Sequence, residues 1–423
     1  MVRSAGCSVR TTPGARRRRA ARALCLRGVK RLLASTCAVL AATLVAFVAL
    51  GELGLRLAGY SAPIWYQADR RLGWSLRPNT AGWFTKEGRS YVQINPDGFR
   101  DRVHAPGKPA GVYRVAVVGD SAVEGFQVKL EATFWAQLQQ RLRGCPALRG
   151  AEPEVMAFGV SGFGTAQQYL MLESAAMRYR PDLVLLAFAA NDLRNNSLAL
   201  EPDKLRPFFV LKGQDLELDA SFAQQARFVD YAKPWAATYR TASDWLLLVQ
   251  LVNAARHGIQ TWRAVSAAHA QALRAGENIP GIEPTTPIAL FAPPRSAAWE
   301  EAWTVTERLI ARMDRYAARH DARLVVAPIT HSAQVHPDAA TRKNLQDALG
   351  VPDLFYIERR LEALGSREGI PVVPLAPELQ KRADARGTYF HGFDNYQLGW
   401  GHWNEQGHAA AAEILAARLC SRL

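Results

Sequence analysis

The stretch YRVAVVGDS, residues 113–121, joins a short apolar run to a Gly-Asp-Ser tripeptide. Residues 113–118 are typical of a buried strand, because the run is rich in β-branched residues and ends at a glycine. A serine that directly follows such a strand stands in a tight turn before the next helix. Its hydroxyl is then exposed near positively polarised backbone N–H groups, which suits a nucleophile, although a plain turn has the same local sequence.

The same alternation of short apolar runs and helical patterns recurs along the chain. Further strands are predicted at residues 155–158, 183–188, 324–328 and 370–375, and helices at 134–142, 167–177, 299–320, 354–364 and 405–419. Five short strands alternating with helices predict a parallel sheet covered by helices on both faces. Ligands of such sheets bind outside the carboxyl ends of the strands, which is where residues 119–121 fall.

Two stretches depart from this alternation. Residues 193–298 lose it and are predicted to form a large insertion after the third strand, covering the core of a domain that spans residues 112–423. Residues 52–111 are rich in aromatic residues, proline and glycine, which predicts an irregular or hairpin segment before the domain.

The amino end carries most of the net charge. The chain has 423 residues and a formal charge of +14, and residues 1–31 hold ten lysines and arginines without an acidic residue. The remaining residues therefore carry only about +4. Because the basic residues are confined to this tail, the folded part is not expected to bind nucleic acid.

An uncharged run, LLASTCAVLAATLVAFVALG, occupies residues 32–51 directly after the basic tail. At 1.5 Å per residue, a helix of this length spans about 30 Å, the thickness of a bilayer core. The preceding positive charges predict a cytoplasmic tail, an inner-membrane anchor that crosses once, and a domain outside the cytoplasm. A cleaved secretory signal is the alternative, although this run is longer than usual and no clear cleavage site follows it.

Cysteine placement agrees with an oxidising compartment. Of the five cysteines, only Cys145 and Cys420 lie beyond the predicted membrane segment. Two such residues outside the cytoplasm indicate either one disulfide or two buried free thiols. No Cys/His spacing indicates a metal site, and the six-residue separation of His402 and His408 is poor for zinc on one helix face, so neither a metal nor a cofactor is expected.

Three further polar groups follow predicted strands or precede the last helix. The glycine-rich stretch at residues 159–165, which includes Gly162, allows close backbone approach to a ligand, so that an N–H group can stabilise an oxyanion. Asn191 follows the third strand and offers a side-chain amide for the same purpose, although asparagine also favours helix caps. His402 precedes the last helix, where it can accept the proton of Ser121.

Ser121, Gly162, Asn191 and His402 in this order resemble the SGNH hydrolase superfamily, also called the GDSL esterases and lipases. The resemblance covers residues 112–420 apart from the insertion, and the INPDGFRD and GHWN stretches resemble membrane-tethered bacterial members. It implies a flavodoxin-like α/β/α sandwich, Ser121 as nucleophile, His402 as base, and an oxyanion hole of the Ser121 N–H, Gly162 and Asn191. In that fold the helices that end near Cys145 and Cys420 lie side by side, which implies a disulfide between these two residues.

One position departs from the family pattern. The family places an aspartate three residues before the catalytic histidine, and here that position is Gly399. Asp394 is predicted to replace it from the same loop. The alternatives are a Ser–His dyad, held by a backbone carbonyl or by a side chain of the insertion, and a weak or inactive enzyme, because loss of the third group can reduce the rate by about 10⁴.

These features predict a membrane-anchored serine esterase that hydrolyses O-acyl esters of an envelope glycan or a lipid. Two other functions fit the same residues. The first is a non-catalytic module that binds a glycan or a partner, which the glycine at position 399 keeps open. The second is an O-acyltransferase, because acyl transfer to a sugar and hydrolysis share their first half-reaction.

Overall fold

A computed structural model describes residues 13–213, 215–275, 279–284 and 286–422. Contacts divide the chain into two compact units, Met1–Tyr60 with Leu246–Val249, and Ser61–Trp245 with Gln250–Leu423. The first twelve residues of the predicted basic tail lie outside the described residues. The predicted domain boundaries therefore stay predictions, and the two units are described separately below.

The first unit is dominated by one long helix, α1 (Pro13–Leu57). Its section Lys30–Leu57 includes the predicted anchor and is long and apolar enough to cross a membrane, by length and composition. Nearly all the apolar side chains of this section are exposed rather than packed against protein.

Two antiparallel hairpins precede the central sheet of the second unit. Strand β1 (Tyr66–Asp69) pairs with β2 (Gly73–Leu76), and β3 (Ala81–Phe84) pairs with β4 (Ser90–Gln93). These hairpins lie within the stretch that the sequence predicts to be irregular or hairpin-like. The loop between β3 and β4 becomes important at the site described below.

The central sheet has four parallel strands in the order β6-β5-β7-β10. They are β5 (Val112–Gly119), β6 (Glu152–Gly159), β7 (Leu183–Phe188) and β10 (Arg323–Pro328). The order reverses between β5 and β7, as in flavodoxin-like sheets, so the carboxyl ends of these strands flank the crevice where such folds bind ligands. The predicted flavodoxin-like α/β fold is confirmed.

The prediction of a fifth full strand at residues 370–375 is wrong. This stretch makes only an isolated parallel bridge between Val372 and Val326. Val326 donates its N–H to the Pro371 carbonyl, and Val373 donates to Val326. Pro371 and Pro374 have no N–H to donate, so the ladder cannot extend beyond this bridge.

Helices cover both faces of the sheet, because its strands are apolar on both sides. Ala116 and Val118 of β5 belong to one buried cluster, and Val115 and Val117 belong to another. The first cluster includes residues of α4 (Thr165–Ser174), α9 (Ala297–Ala318) and α11 (Tyr356–Glu368). The second includes residues of α3 (Phe134–Leu142), α12 (Ala376–Arg386) and α13 (Glu405–Cys420), which completes an α/β/α sandwich.

The remaining elements are short, or they belong to the predicted insertion at residues 193–298. Short helices α2 (Ser121–Glu124) and α5 (Asp192–Asn195) follow β5 and β7, and α10 (Ala339–Leu349) follows β10. The insertion contains the hairpin of β8 (Phe208–Lys212) and β9 (Asp215–Asp219), followed by α6 (Ala226–Tyr231), α7 (Pro234–Trp245) and α8 (Leu247–Ala275).

A disulfide joins Cys145, just after α3, to Cys420 at the end of α13. It is the pair that the family resemblance implies. The two helices pack against each other, and the bond closes a loop of 275 residues. It therefore fastens the last helix to the first long helix after β5.

Replacing both Cys145 and Cys420 by serine is expected to lower the free energy of unfolding by about 2–5 kcal/mol, because the unfolded chain loses a long-range constraint. The measurement is urea unfolding of the full chain in detergent, followed by near-ultraviolet circular dichroism. Cys37→Ser, at a free cysteine, is the matched control and is expected to leave the midpoint unchanged. An unchanged midpoint in the double variant would contradict the stabilising role.

Candidate active site

The turn after β5 places Ser121 at the carboxyl end of the sheet. Asp120 caps α2 by accepting a hydrogen bond from the Ala122 N–H at 3.0 Å. A Cβ atom on Gly119 would lie 2.4 Å from the Val123 side chain. The glycine therefore allows strand and helix to meet in a sharp turn, with Ser121 as the first helical residue.

Ser121, His402 and Glu87 form a continuous chain of contacts. The Nε2 atom of His402 lies 2.8 Å from the Ser121 Oγ, and the Nδ1 atom lies 2.6 Å from a carboxylate oxygen of Glu87. The other carboxylate oxygen of Glu87 accepts the backbone N–H of His402 at 2.5 Å. A carboxylate at Nδ1 favours the tautomer with its proton on that atom, which leaves Nε2 free to accept the serine proton.

Glu87 comes from the loop between β3 and β4, and this loop is fastened to the loop that carries His402. Asn395 accepts the Gly88 N–H at 2.9 Å and donates to the carbonyls of Thr85 and Gly88, each at 3.0 Å. Gly401 has a φ of +65°, and a Cβ atom there would lie 2.2 Å from a Glu87 carboxylate oxygen. Glycine is therefore needed where the two loops meet.

The prediction that Asp394 orients His402 is wrong. Asp394 is exposed in the tight turn between Phe393 and Tyr396, and the Nδ1 atom is occupied by Glu87. The adjacent Asn395 has the structural role in that turn. The dyad alternative also fails, because a carboxylate is present.

Gly399, at the usual aspartate position, has no room for a side chain. Its φ is +83°, and a Cβ atom would lie 2.6 Å from the imidazole of His336 and 3.2 Å from the ring of Tyr389. An aspartate at this position would require both an unfavourable backbone conformation and displacement of His336.

The surrounding charges control the protonation of His402. Burial disfavours the charged imidazole and by itself would lower the pKa of His402. The charge and hydrogen bond of Glu87, with smaller effects of Asp120 and Glu283, outweigh burial and raise the pKa of His402 to about 9. The ion pair stabilises the fold fully below the unfolded pKa of about 6.5, and this contribution is lost as pH rises through about 9.

Asn191 and Gly162, two of the three predicted oxyanion donors, lie in different surroundings. The Asn191 side-chain amide donates to the Asp120 carboxylate at 3.1 Å, which holds it beside Ser121, and it retains a second N–H. The Gly162 carbonyl accepts hydrogen bonds from Asn195 at 3.0 Å and Arg206 at 2.8 Å, and its φ is +78°. These contacts engage the Gly162 carbonyl and leave its N–H as the group that the predicted oxyanion role requires.

A buried carboxylate anchors the loop that contains Gly162. Glu124, at the end of α2, accepts hydrogen bonds from the Ser161 N–H at 3.2 Å, from the Ser161 hydroxyl, and from the Tyr66 hydroxyl at 2.9 Å. Burial raises the pKa of Glu124 to about 7. Glu124 therefore links the serine helix, the glycine-rich loop and the first hairpin.

A cavity of about 230 Å³ opens beside these groups. Ser121, Asn191, His402 and Glu87 all contribute to its wall. Glu283, near the end of the insertion, also lines it and accepts hydrogen bonds from the Tyr396 hydroxyl at 2.9 Å and the Gly401 N–H at 3.1 Å. The insertion therefore supplies part of the site wall.

The other histidines of this region have structural contacts. His408 accepts the N–H of Phe134 at the start of α3, and burial lowers its pKa to about 3. His391 contacts the Gly401 carbonyl at 2.7 Å and the Thr330 hydroxyl at 3.0 Å. Within the described residues, no cluster of three or more histidine, cysteine or acidic side chains could hold a metal ion.

Sequence reasoning missed Glu87 and Glu283. Glu87 is 315 residues away from His402, and it lies in a hairpin that the sequence identifies only by its composition. The Glu-Gly pair at residues 87–88 between two short apolar runs marks a turn. It does not indicate which distant loop the turn contacts.

No protein-family model matches the chain, and no curated protein matches it. Solved structures that it is similar to include the acetyl xylan esterase AlAXEase, with 8% identity over 72% of this chain and 99% of that chain and a TM-score of 0.35. A lipolytic protein of the G-D-S-L family from Veillonella parvula has 11% identity over 74% and 100% of the two chains and a TM-score of 0.35. The lipase Lip_vut3 from a goat rumen metagenome has 14% identity over 72% and 97% and a TM-score of 0.37. These values are too low to assign a function, which is argued below from the geometry of the site.

Proposed function

We propose that this chain is a membrane-anchored serine hydrolase of carboxylic esters. The contact chain from Ser121 through His402 to Glu87 carries the proposal, because it has the order and distances by which a base activates a serine hydroxyl. The presence of Glu87 favours catalysis over a non-catalytic binding module, since the reason for doubting activity was the missing carboxylate.

The mechanism is acyl transfer in two half-reactions. The Ser121 Oγ attacks the ester carbonyl carbon while its proton passes to the Nε2 atom of His402. The Ser121 and Gly162 N–H groups and the Asn191 amide stabilise the oxyanion, in the roles that the family resemblance implies. His402 then protonates the leaving alcohol, and an acyl-enzyme remains.

Water completes the cycle by the same route. His402 removes a proton from the attacking water, the second tetrahedral intermediate collapses, and the Ser121 oxygen recovers its proton as the carboxylic acid leaves. Glu87 stabilises the imidazolium in both half-reactions without taking its proton.

The substrate class follows from the cavity and the proposed location. A space of about 230 Å³ suits a small acyl group, and the polar side chains in its wall suit an alcohol that carries further hydroxyl groups. With residues 32–51 as anchor and the domain outside the cytoplasm, an O-acylated envelope glycan or lipid fits these requirements.

Ser121→Ala is expected to reduce the hydrolysis of p-nitrophenyl acetate by about 10³-fold or more and to abolish labelling by a fluorophosphonate, because the nucleophile is removed. The assay uses the purified full chain in detergent. Ser421→Ala, at an exposed position after α13, is the control and is expected to behave like the wild type. Undiminished turnover in Ser121→Ala would exclude this mechanism.

Glu87→Gln is expected to lower kcat by about 10²- to 10⁴-fold with little change in KM, because the amide neither fixes the tautomer nor stabilises the imidazolium. Asp394→Asn is the matched control in the contacting loop and is expected to retain wild-type kcat. If both variants unfold at the same temperature, the lower kcat of Glu87→Gln comes from catalysis and not from a loss of folding. A loss in Asp394→Asn with none in Glu87→Gln would refute the assignment.

The wild-type kcat/KM is expected to rise about tenfold per pH unit and to level off near pH 9, because the base must be neutral and its pKa is raised to about 9. In Glu87→Gln the inflection is expected to move to lower pH, since burial still disfavours the imidazolium and the stabilising charge is gone. Stopped-flow hydrolysis of an activated ester over pH 5–10 measures both profiles. An inflection that stays near pH 9 in the variant would show that Glu87 does not control His402.

A further inference from the structure

The helix α8 (Leu247–Ala275) is unusually exposed for a helix of 29 residues. Every residue at positions 255–267 is exposed, so this section packs little against the described part of the protein. A helix that has no tertiary packing is only marginally stable in water. We therefore expect something other than this chain to cover the exposed section of α8.

The four most exposed large apolar residues of α8 lie along one stripe. Val252, Ile259, Trp262 and Leu273 recur at helical spacing and are between 53% and 68% exposed. In the preceding α7 (Pro234–Trp245), Trp235 and Trp245 are 64% and 73% exposed. Tryptophan with aliphatic residues on one helix face is the composition of helices that lie in a membrane–water interface.

A line of positive charge runs beside this stripe. Arg256, Arg263 and Arg274 are spaced so that they fall on one flank of α8, and all three are exposed. The segment Leu247–Ala275 contains no aspartate or glutamate, and none of these arginines forms a salt bridge with a described residue. This flank complements a surface of anionic headgroups.

The start of α8 is tied to the end of the proposed anchor. Within the first unit, Glu52 accepts the N–H groups of Leu247 and Leu248 at 3.0 and 3.1 Å. Glu52 is the first charged residue after the uncharged run at 32–51, so it marks the boundary of the hydrocarbon layer. If that run spans the bilayer, the first turn of α8 starts at headgroup depth.

We propose that α8, with the exposed tryptophans of α7, is an interfacial helix that binds the surface of an anionic bilayer. The proposal rests on the membrane anchoring that forms part of the proposed function, but it does not depend on catalysis.

The test uses the full chain in nanodiscs of phosphatidylethanolamine and phosphatidylglycerol. Cys7, Cys25 and Cys37 are replaced by serine, and one new cysteine for an environment-sensitive fluorophore is placed by Trp262→Cys, by Ile259→Cys or, as the matched control, by Ala264→Cys. Position 264 is two residues beyond 262 and lies on the other side of the helix. Lipids carrying a nitroxide and aqueous iodide are the two quenchers.

The labels at 262 and 259 are expected to emit at shorter wavelength, with several-fold stronger quenching by the nitroxide lipid than the label at 264. Equal quenching of all three by iodide would overturn the proposal. A shielded label at 262 that the nitroxide lipid does not reach would also overturn it, because a protein partner or a second copy would then cover the stripe.

A chain labelled only at the natural Cys37 separates this proposal from the anchoring. Strong lipid quenching at Cys37 with none at 262 refutes the interfacial helix alone, whereas no quenching at Cys37 refutes the anchor as well.

The role of the arginine charges is tested by the double variant Arg256→Glu with Arg263→Glu, which is expected to weaken lipid quenching at 262 severalfold. Arg418→Glu on α13 is the control, and an equal effect in both would contradict the role of the arginine flank.

Discussion

The contact between Glu87 and His402 determines what the rest of the site can do. A histidine beside a serine accepts its proton effectively only when the imidazole is held in one tautomer and its positive charge is stabilised. The group placed to do both is the Glu87 carboxylate, which comes from a hairpin outside the sheet. It contacts the Nδ1 atom of His402 and also accepts the His402 backbone N–H. The hairpin of β3 and β4 is therefore part of the site and cannot be regarded only as a connection to the amino end.

The sheet explains why the other groups converge. Ser121 and Asn191 follow adjacent strands β5 and β7, and the Asp120 carboxylate between them binds the Ala122 N–H and the Asn191 amide. The topology places them together without any long-range recognition by their side chains. The hairpin before β5 adds Glu87, the insertion adds Glu283, residues 329–331 follow β10, and the C-terminal loop adds His402, so six separate stretches of chain line one cavity.

The sequence predicts features that depend on local pattern, but it does not predict which distant loops contact each other. Residues 183–188 are predicted as a strand because a continuous apolar run needs burial on both faces, and the structure has β7 at the same residues. Residues 370–375 also form an apolar run, but two prolines limit their pairing. Glu87 leaves no trace in periodicity or motif, because its role is created by the contact of Gly88 and Asn395 across the fold.

The wrong prediction of Asp394 as the carboxylate beside His402 has the same origin. A search for a carboxylate close to His402 in sequence finds Asp394, which is exposed, whereas its neighbour Asn395 fastens the loop that supplies the acid. Distance along the chain is a poor guide here, since loops at the edge of a sheet meet partners from any part of the sequence.

The packing around Gly399 leaves no space for an acidic side chain at this position. His336 occupies the volume that an aspartate side chain would need, and the left-handed backbone there penalises any residue other than glycine. A change of Gly399 to aspartate would therefore bring a carboxylate there only if His336 moved as well, so the carboxylate contact of His402 depends on the hairpin that carries Glu87.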